Sequence, residues 1–204
     1  MSKKNLYLLR HAQSEYNEKG IFQGRLDSDL TPLGFVQARL SAQELMDKDI
    51  EIIYSSPQRR ARKTALTVAD VLGLEVVIDE RIREMSFGDY EGKSFLHLLQ
   101  EEGHLLRAWL SNPAENPLPT QESMDQFRRR VEEFLDHILQ SRYRNLLVVA
   151  HGGTLHAMVC LALGLGLENL WNIHMDNASI THLVYAEGRF ELRYLNRLCC
   201  GPLL

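Results

Sequence analysis

Two apolar runs, Leu6-Tyr7-Leu8-Leu9 and Leu146-Leu147-Val148-Val149-Ala150, constrain the fold of this chain more than any other feature. Each is apolar without alternation, as strands buried on both faces of a parallel sheet are. Each also stops at a histidine followed by small or polar residues: Arg10-His11-Ala12 after the first, His151-Gly152-Gly153 after the second. Open α/β sheets bind ligands in the crevice at the carboxyl ends of their strands. Parallel neighbours of this kind place His11 and His151 side by side in one crevice.

The rest of the chain supplies alternating elements around these strands. Thr31-Pro32 reads as an N-cap with proline at the first helical position, opening a helix to about Met46. Residues 50–54 read as a second strand, with Ser55-Ser56-Pro57 as another cap and proline. Ala61, Thr64, Ala65, Val68, Ala69 and Leu72 recur at helical spacing before Gly73, and residues 75–78 form a third strand. That strand-helix-strand unit implies parallel pairing with a right-handed crossover. Residues 12–30 and 79–93 read as loops; 94–111 read as helical with a break at Gly103, and 112–119 as a proline-punctuated connection. Ser123 and Gln126 suit a capping box before a helix carrying Phe127, Val131, Phe134 and Ile138 on one face. Leu155, Met158, Val159 and Leu163 mark a helix stopped by Gly164, and residues 180–185 and 190–195 form a hairpin across Glu187-Gly188. The expected architecture is one domain over residues 1–204: α/β, a three-layer α/β/α sandwich with a mostly parallel central sheet and an antiparallel edge hairpin.

Composition narrows the function classes. The net charge of -4 sets up no global field for nucleic acid or an anionic membrane. Arg59, Arg60, Arg62 and Lys63 share a helix with an apolar face, the pattern of a solvated surface, so no nucleic-acid partner is expected. The apolar residues before Arg10 are too few for a signal peptide or a membrane span, so a soluble, cytoplasmic protein is expected. Cys160, Cys199 and Cys200 make neither a disulfide framework nor a spaced metal set and read as reduced thiols. His151 and His156 lack thiolates or spaced carboxylates around them, so no metal and no cofactor are expected. His97, His104, His137, His174 and His182 read as structural or exposed, with His174 and His182 the candidates to edge a pocket. Leu167, Leu170 and Trp171 read as core rather than a dimer or lid surface.

The chemistry lies in the residues delivered to the sheet edge. Arg10 and Arg60, two imidazoles and the backbone N–H groups near Gly152 and Gly153 make an anion cradle that suits phosphate. The plain alternative makes both arginines ion-pair partners of Glu84 and Asp27. Phosphate monoesters need accelerations of up to ~10^21-fold, which binding alone does not supply. Without a metal, a neutral imidazole attacks phosphorus while fixed cations stabilise the equatorial oxygens. Nearby Arg10 and Arg60 favour neutral His11. The departing alkoxide needs a proton from a carboxyl group, for which the 79–93 loop offers Glu80, Glu84 and Glu91. Ser14 reads as a loop-capping hydroxyl rather than a nucleophile.

Leu9-Arg10-His11-Ala12-Gln13-Ser14-Glu15-Tyr16-Asn17, Tyr54-Ser55-Ser56 with Arg60-Ala61 and Thr64-Ala65, Arg83-Glu84-Met85-Ser86-Phe87-Gly88-Asp89-Tyr90-Glu91-Gly92, and Ala150-His151-Gly152-Gly153 together resemble the histidine phosphatase superfamily, the phosphoglycerate mutase-like proteins. Asp176-Asn177-Ala178-Ser179 and the final hairpin fit the same likeness. The resemblance implies a phosphohistidine intermediate on His11 and a phosphate pocket of Arg10, Arg60 and His151. It adds Asn17, Gln23 and Gly24 to the phosphate site, beside Gly152, selects Glu84 as general acid, and requires no metal. Ala12 departs from the commoner glycine after the nucleophile, and Gln121 stands where a Gly-Glu-Ser segment often begins. The chain lacks the long basic insertion of the cofactor-dependent mutases. A phosphatase of small phosphomonoesters is therefore expected: phosphoserine, α-ribazole phosphate, or several accepted broadly. The alternatives are a phosphoglycerate mutase and a catalytically silent phosphate-ester-binding subunit. The expected partner is a small phosphomonoester substrate, with homodimer and heterodimer both open, and selectivity is expected from residues 13–25 and 86–125.

Overall fold

Successive strand residues point to opposite faces of a sheet, so a strand apolar at every position needs cover on both sides. A computed structural model describes residues 3–199 and shows that cover. Strands β1 (Lys4–Arg10), β2 (Ile52–Ser55), β3 (Val76–Ile78), β4 (Asn145–Ala150), β5 (Ile180–Ala186) and β6 (Arg189–Arg197) form one sheet in the order β3-β2-β4-β1-β5-β6. The first four named are mutually parallel where they pair, and β5 and β6 add antiparallel to the β1 edge. Glu187 and Gly188 both take positive φ, as a two-residue hairpin turn of the primed type requires.

Helices α2 (Pro32–Leu45) and α3 (Arg59–Leu72) cover one face, packing Ala42, Leu45, Ala61, Ala65 and Val68 on Tyr7, Leu9, Leu147 and Val149. Helices α6 (Met124–Gln140) and α7 (Gly152–Ala162) cover the other, meeting Leu6, Leu8, Leu146 and Val148. Phe127, Val131, Phe134 and Ile138 of α6 are all fully buried there. Truncating such a phenylalanine to alanine costs about 3–5 kcal/mol. Thr31 caps α2 by accepting from the Gly34 N–H at 3.0 Å, and Ser123 caps α6 by accepting from Gln126 at 3.2 Å. Gly73 ends α3 at φ 68°.

Local differences from expectation have local causes. The 12–30 segment contains a one-turn helix, α1 (Glu15–Glu18), because Ser14 and Asn17 close a reciprocal capping box. The 79–93 segment carries single 3-10 turns at Glu80–Ile82 and Gly88–Tyr90. Residues 94–111 divide into α4 (Phe95–Glu101) and α5 (Gly103–Ser111). The Ser55-Ser56-Pro57 cap is not used as such: Gln58 is the N-cap of α3 and makes no side-chain cap bond. The side chains of Ser56 and Gln58 serve the site instead. Cys160 is buried, which pushes its thiol up to about 11, and Cys200 lies outside the described residues. Among the described residues no helix is long and apolar enough to cross a membrane.

Candidate active site

Strands β1 and β4 pair with Arg10 opposite Ala150, so the next residue of each arrives at the same height. The His11 and His151 rings lie 5.1 Å apart, centroid to centroid, at 61°. His11 Nδ1 sits 2.8 Å from the Ala12 carbonyl, which can only accept, so Nδ1 holds the proton and Nε2 presents its lone pair. Arg60 Nε donates to that Nε2 at 3.2 Å. Burial, then the Arg60 and Arg10 cations, push the His11 imidazole well below its ordinary range, and it is neutral at pH 7. His151 is lowered likewise, by burial first and then by Arg60. Its Nε2 lies 2.7 Å from Ser56 Oγ.

Arg60, in the first turn of α3, is 1% exposed. It donates from Nη1 to the Leu26 carbonyl at 2.7 Å and from Nη2 to the Gly24 carbonyl at 2.8 Å. Burial brings its pKa down to about 10, which leaves it a cation at neutral pH. Arg10 is held through Nη1 on the Met175 carbonyl. Neither arginine forms an ion pair with Glu84 or Asp27; Asp27 instead accepts from the Arg59 N–H at 2.8 Å. Asn17 and Gln23 turn their carbonyl oxygens into the loop, where Asn17 Oδ1 accepts from Ser14 N at 3.0 Å and Gln23 Oε1 from Ser28 Oγ at 2.7 Å. Their NH₂ groups are the donors available to a ligand. Asn177 Nδ2 ties the His11 carbonyl at 3.0 Å. Ala12 is accommodated in a small cluster with Leu30, Ala38 and Ala178.

Among the described residues Glu84 is the one Asp or Glu that lines the cleft. Its Oε1 accepts from Met85 N at 2.9 Å, Thr154 N at 3.1 Å and Thr154 Oγ1 at 3.2 Å, and its Oε2 from Gly153 N at 3.2 Å. This corrects one expectation: the Gly153 N–H is not left for phosphate. The unpaired N–H groups of a helix N-terminus need acceptors, and at α7 the acceptor is the Glu84 side chain. Gly153 permits it, since a Cβ there would stand 2.9 Å from Glu84 Oε1. Gly152 remains on the cleft wall beside Arg10. Of the competing carboxylates, Glu91 accepts from Ser86 Oγ and Phe87 N, both at 2.9 Å, and Glu80 lies 3.6 Å from Arg83.

Side chains that the sequence did not single out hold this arrangement together. Gln58 Nε2 donates to the Gly24 carbonyl at 2.7 Å while its Oε1 accepts from Glu84 N at 2.7 Å, linking the phosphate loop to the acid. Arg130 of α6 donates to the carbonyls of Arg81, Arg83 and Glu84 and pairs with Glu122 at 2.8 Å. Burial opposes ionising Glu122, yet Arg130 keeps its carboxyl below the ordinary range. The cleft, of about 290 Å³, is of the size that takes a small metabolite. Its walls include Phe22, Phe87 and Trp109, from the two segments expected to set selectivity, and also His156 and Trp171 from outside them. Leu167 and Leu170 are core, as expected, whereas Trp171 is turned to the cleft. The sequence signal for His156 was its place one helical turn beyond Gly152-Gly153. His174 pairs with Asp176 at 3.0 Å and His182 stacks on Tyr7 in mid-sheet, and neither lines the cleft. Among the described residues no three His, Cys, Asp or Glu side chains group so as to hold a metal ion.

A parallel-stranded sheet with paired strand-end histidines and two flanking arginines defines a class, and the whole-chain comparison agrees with it. The chain belongs to the histidine phosphatase superfamily (branch 1), which it matches over residues 6–198. It is 65% identical over 196 residues to a Hydrogenobacter thermophilus protein named "Putative phosphoserine phosphatase 2", covering 96% of this chain and 97% of that one. It is 30% identical to the adenosylcobalamin/alpha-ribazole phosphatase of Escherichia coli, over 96% of this chain and 97% of that one. Its fold matches a mycobacterial glucosyl-3-phosphoglycerate phosphatase with a TM-score of 0.87 and 30% identity, over 96% and 99% of the two chains.

Proposed function

We propose that this chain is a phosphatase that hydrolyses small phosphomonoesters through a phosphohistidine on His11. The Nε2 lone pair of His11 attacks phosphorus and the ester P–O bond breaks. The leaving alkoxide takes a proton from the Glu84 carboxyl. Water then attacks the phosphohistidine, giving its proton to Glu84 and releasing phosphate and neutral His11. Arg10, Arg60 and His151 surround the equatorial oxygens, with Asn17, Gln23, Gly24 and Gly152 around the bound phosphate. No step calls on a metal.

The observation that carries this reading is the His11 tautomer, a neutral ring with its proton locked on Ala12 and its lone pair beside a buried guanidinium. The phosphatase names of the relatives support a small phosphorylated metabolite as substrate, with phosphoserine and α-ribazole phosphate among the candidates. His11→Ala is expected to lower hydrolysis of p-nitrophenyl phosphate by about 10⁴-fold or more. An alkaline quench of the wild type should show phosphohistidine by ³¹P NMR. Full activity in His11→Ala, or loss of wild-type activity in EDTA, rejects the mechanism. Accumulation of 2-phosphoglycerate rather than phosphate from 3-phosphoglycerate and a trace of bisphosphate identifies a mutase.

A further inference from the structure

Phosphate chemistry uses one end of the cleft. The charged side chains that line it, Arg10, Arg60 and Glu84, are all engaged there. The other end is walled by packed aromatic rings: Phe22 edge-on to Phe87 at 5.4 Å and 88°, Phe87 edge-on to Trp109 at 5.6 Å and 83°, and Trp109 tilted at 48° against Trp171 at 4.7 Å. Trp109 is held in place, since its Nε1 donates to Gln121 Oε1 at 3.0 Å. The Trp171 ring reaches over Gly153, 3.4 Å from where a Cβ would stand, and so sits beside Glu84. A leaving group protonated by Glu84 therefore meets this aromatic wall.

Among the described residues two polar groups of the wall keep hydrogen-bonding capacity to spare. His156 is 6% exposed and lines the cleft, its ring meeting the Leu170 carbonyl and no other polar partner among the described residues. The buried Nε1 of Trp171 is without an acceptor, and the two rings stand edge to face 5.8 Å apart. Burial brings His156 down to about 3, so at neutral pH it is uncharged and keeps a lone pair on one ring nitrogen. That lone pair beside the Trp171 indole donor matches a hydroxyl, which both gives and takes a hydrogen bond. Across this wall an α-ammonium and α-carboxylate meet apolar ring faces, and burying charge against them is costly.

We propose that the leaving-group subsite selects an uncharged alcohol with a flat apolar face bearing a hydroxyl, read by His156 and Trp171, in preference to a zwitterionic amino acid. This rests on the phosphatase reading. Benzyl phosphate, 3-hydroxybenzyl phosphate and phosphoserine, all primary alkyl esters, separate the terms. Wild-type kcat/KM for benzyl phosphate is expected to exceed that for phosphoserine by about 100-fold. The added hydroxyl is expected to gain roughly tenfold more, as one matched hydrogen bond does. His156→Phe should abolish that hydroxyl ratio and His156→Gln should keep part of it; a ratio of two substrates does not depend on how much variant folds. Phosphoserine equalling benzyl phosphate, or a hydroxyl ratio unchanged in His156→Phe, overturns the proposal. Calorimetric binding of the three esters to His11→Ala reads the same order without turnover. If that order holds while the wild type hydrolyses none of them, the phosphatase reading fails and the subsite stands.

Discussion

The two ends of the cleft are built on different principles. At the phosphate end each ionisable side chain is anchored by hydrogen bonds: Arg60 on two carbonyls, Arg10 on Met175, His11 on Ala12, His151 on Ser56, and Glu84 on the first turn of α7. At the other end Phe22, Phe87 and Trp171 are placed by ring packing, and His156 stands edge to face against Trp171. The difference follows from what each must hold. Phosphate is the same in every ester, and stabilising its charge requires donors fixed before the reaction begins. Alcohols differ, and apolar walls accept variation in shape at little cost. One fold can thus keep its chemistry while the alcohol changes, as the varied phosphatase names among its relatives suggest.

Arg60→Ala attacks that division most strongly. It should lower kcat/KM by about 10³-fold for every ester alike, since it removes a fixed cation from the transferring phosphoryl group. It should also raise the His11 pKa seen by imidazole NMR, because Arg60 is one of the cations that depress it. A loss confined to certain alcohols would break the comparison. Glu84→Gln touches the boundary between the ends: about 10²-fold is expected in kcat/KM, which reports phosphoryl transfer to His11 alone, for an alkyl ester, and less than about tenfold for p-nitrophenyl phosphate, whose leaving group needs no proton. Equal losses on both would remove Glu84 from the acid role.

The smallest effect is one buried histidine's share of the stability. His11, His151 and His156 are all buried with pKa values lowered below that of the unfolded chain, about 6.5. Below that pH the unfolded state binds protons that the folded state refuses, so stability falls as pH drops. Each histidine contributes about 1.4 kcal/mol per pH unit until its folded pKa is reached. For His156 the loss continues down to about 3. Urea midpoints between pH 7 and pH 5 should fall accordingly, and His156→Phe should remove one histidine's share of the slope while leaving the share of the phosphate end.

Much of this was legible because it is local. An unbroken apolar run, a Thr-Pro start and a Gly stop each act within a few residues, so β1, β4, α2 and α3 could be read from the chain. Parallel pairing then brought His11, His151 and Arg60 to one edge without further information. The choice of Glu84 among its neighbours came from family likeness, and its seat on the α7 N-terminus came only with the structure. The cap at Ser55-Ser56-Pro57 was misread because the pull on Ser56 and Gln58 comes from His151, Gly24 and Glu84, all distant in sequence. The aromatic wall was illegible for the same reason: Phe22, Phe87, Trp109 and Trp171 come from four separate segments and share no period. By itself, then, the sequence determined the strands, the sheet edge and the residue types gathered there, since periodicity and capping are short-range. Only the tertiary structure decided which donor meets which acceptor and which rings face the leaving group, because those energies depend on distances that close when the chain packs.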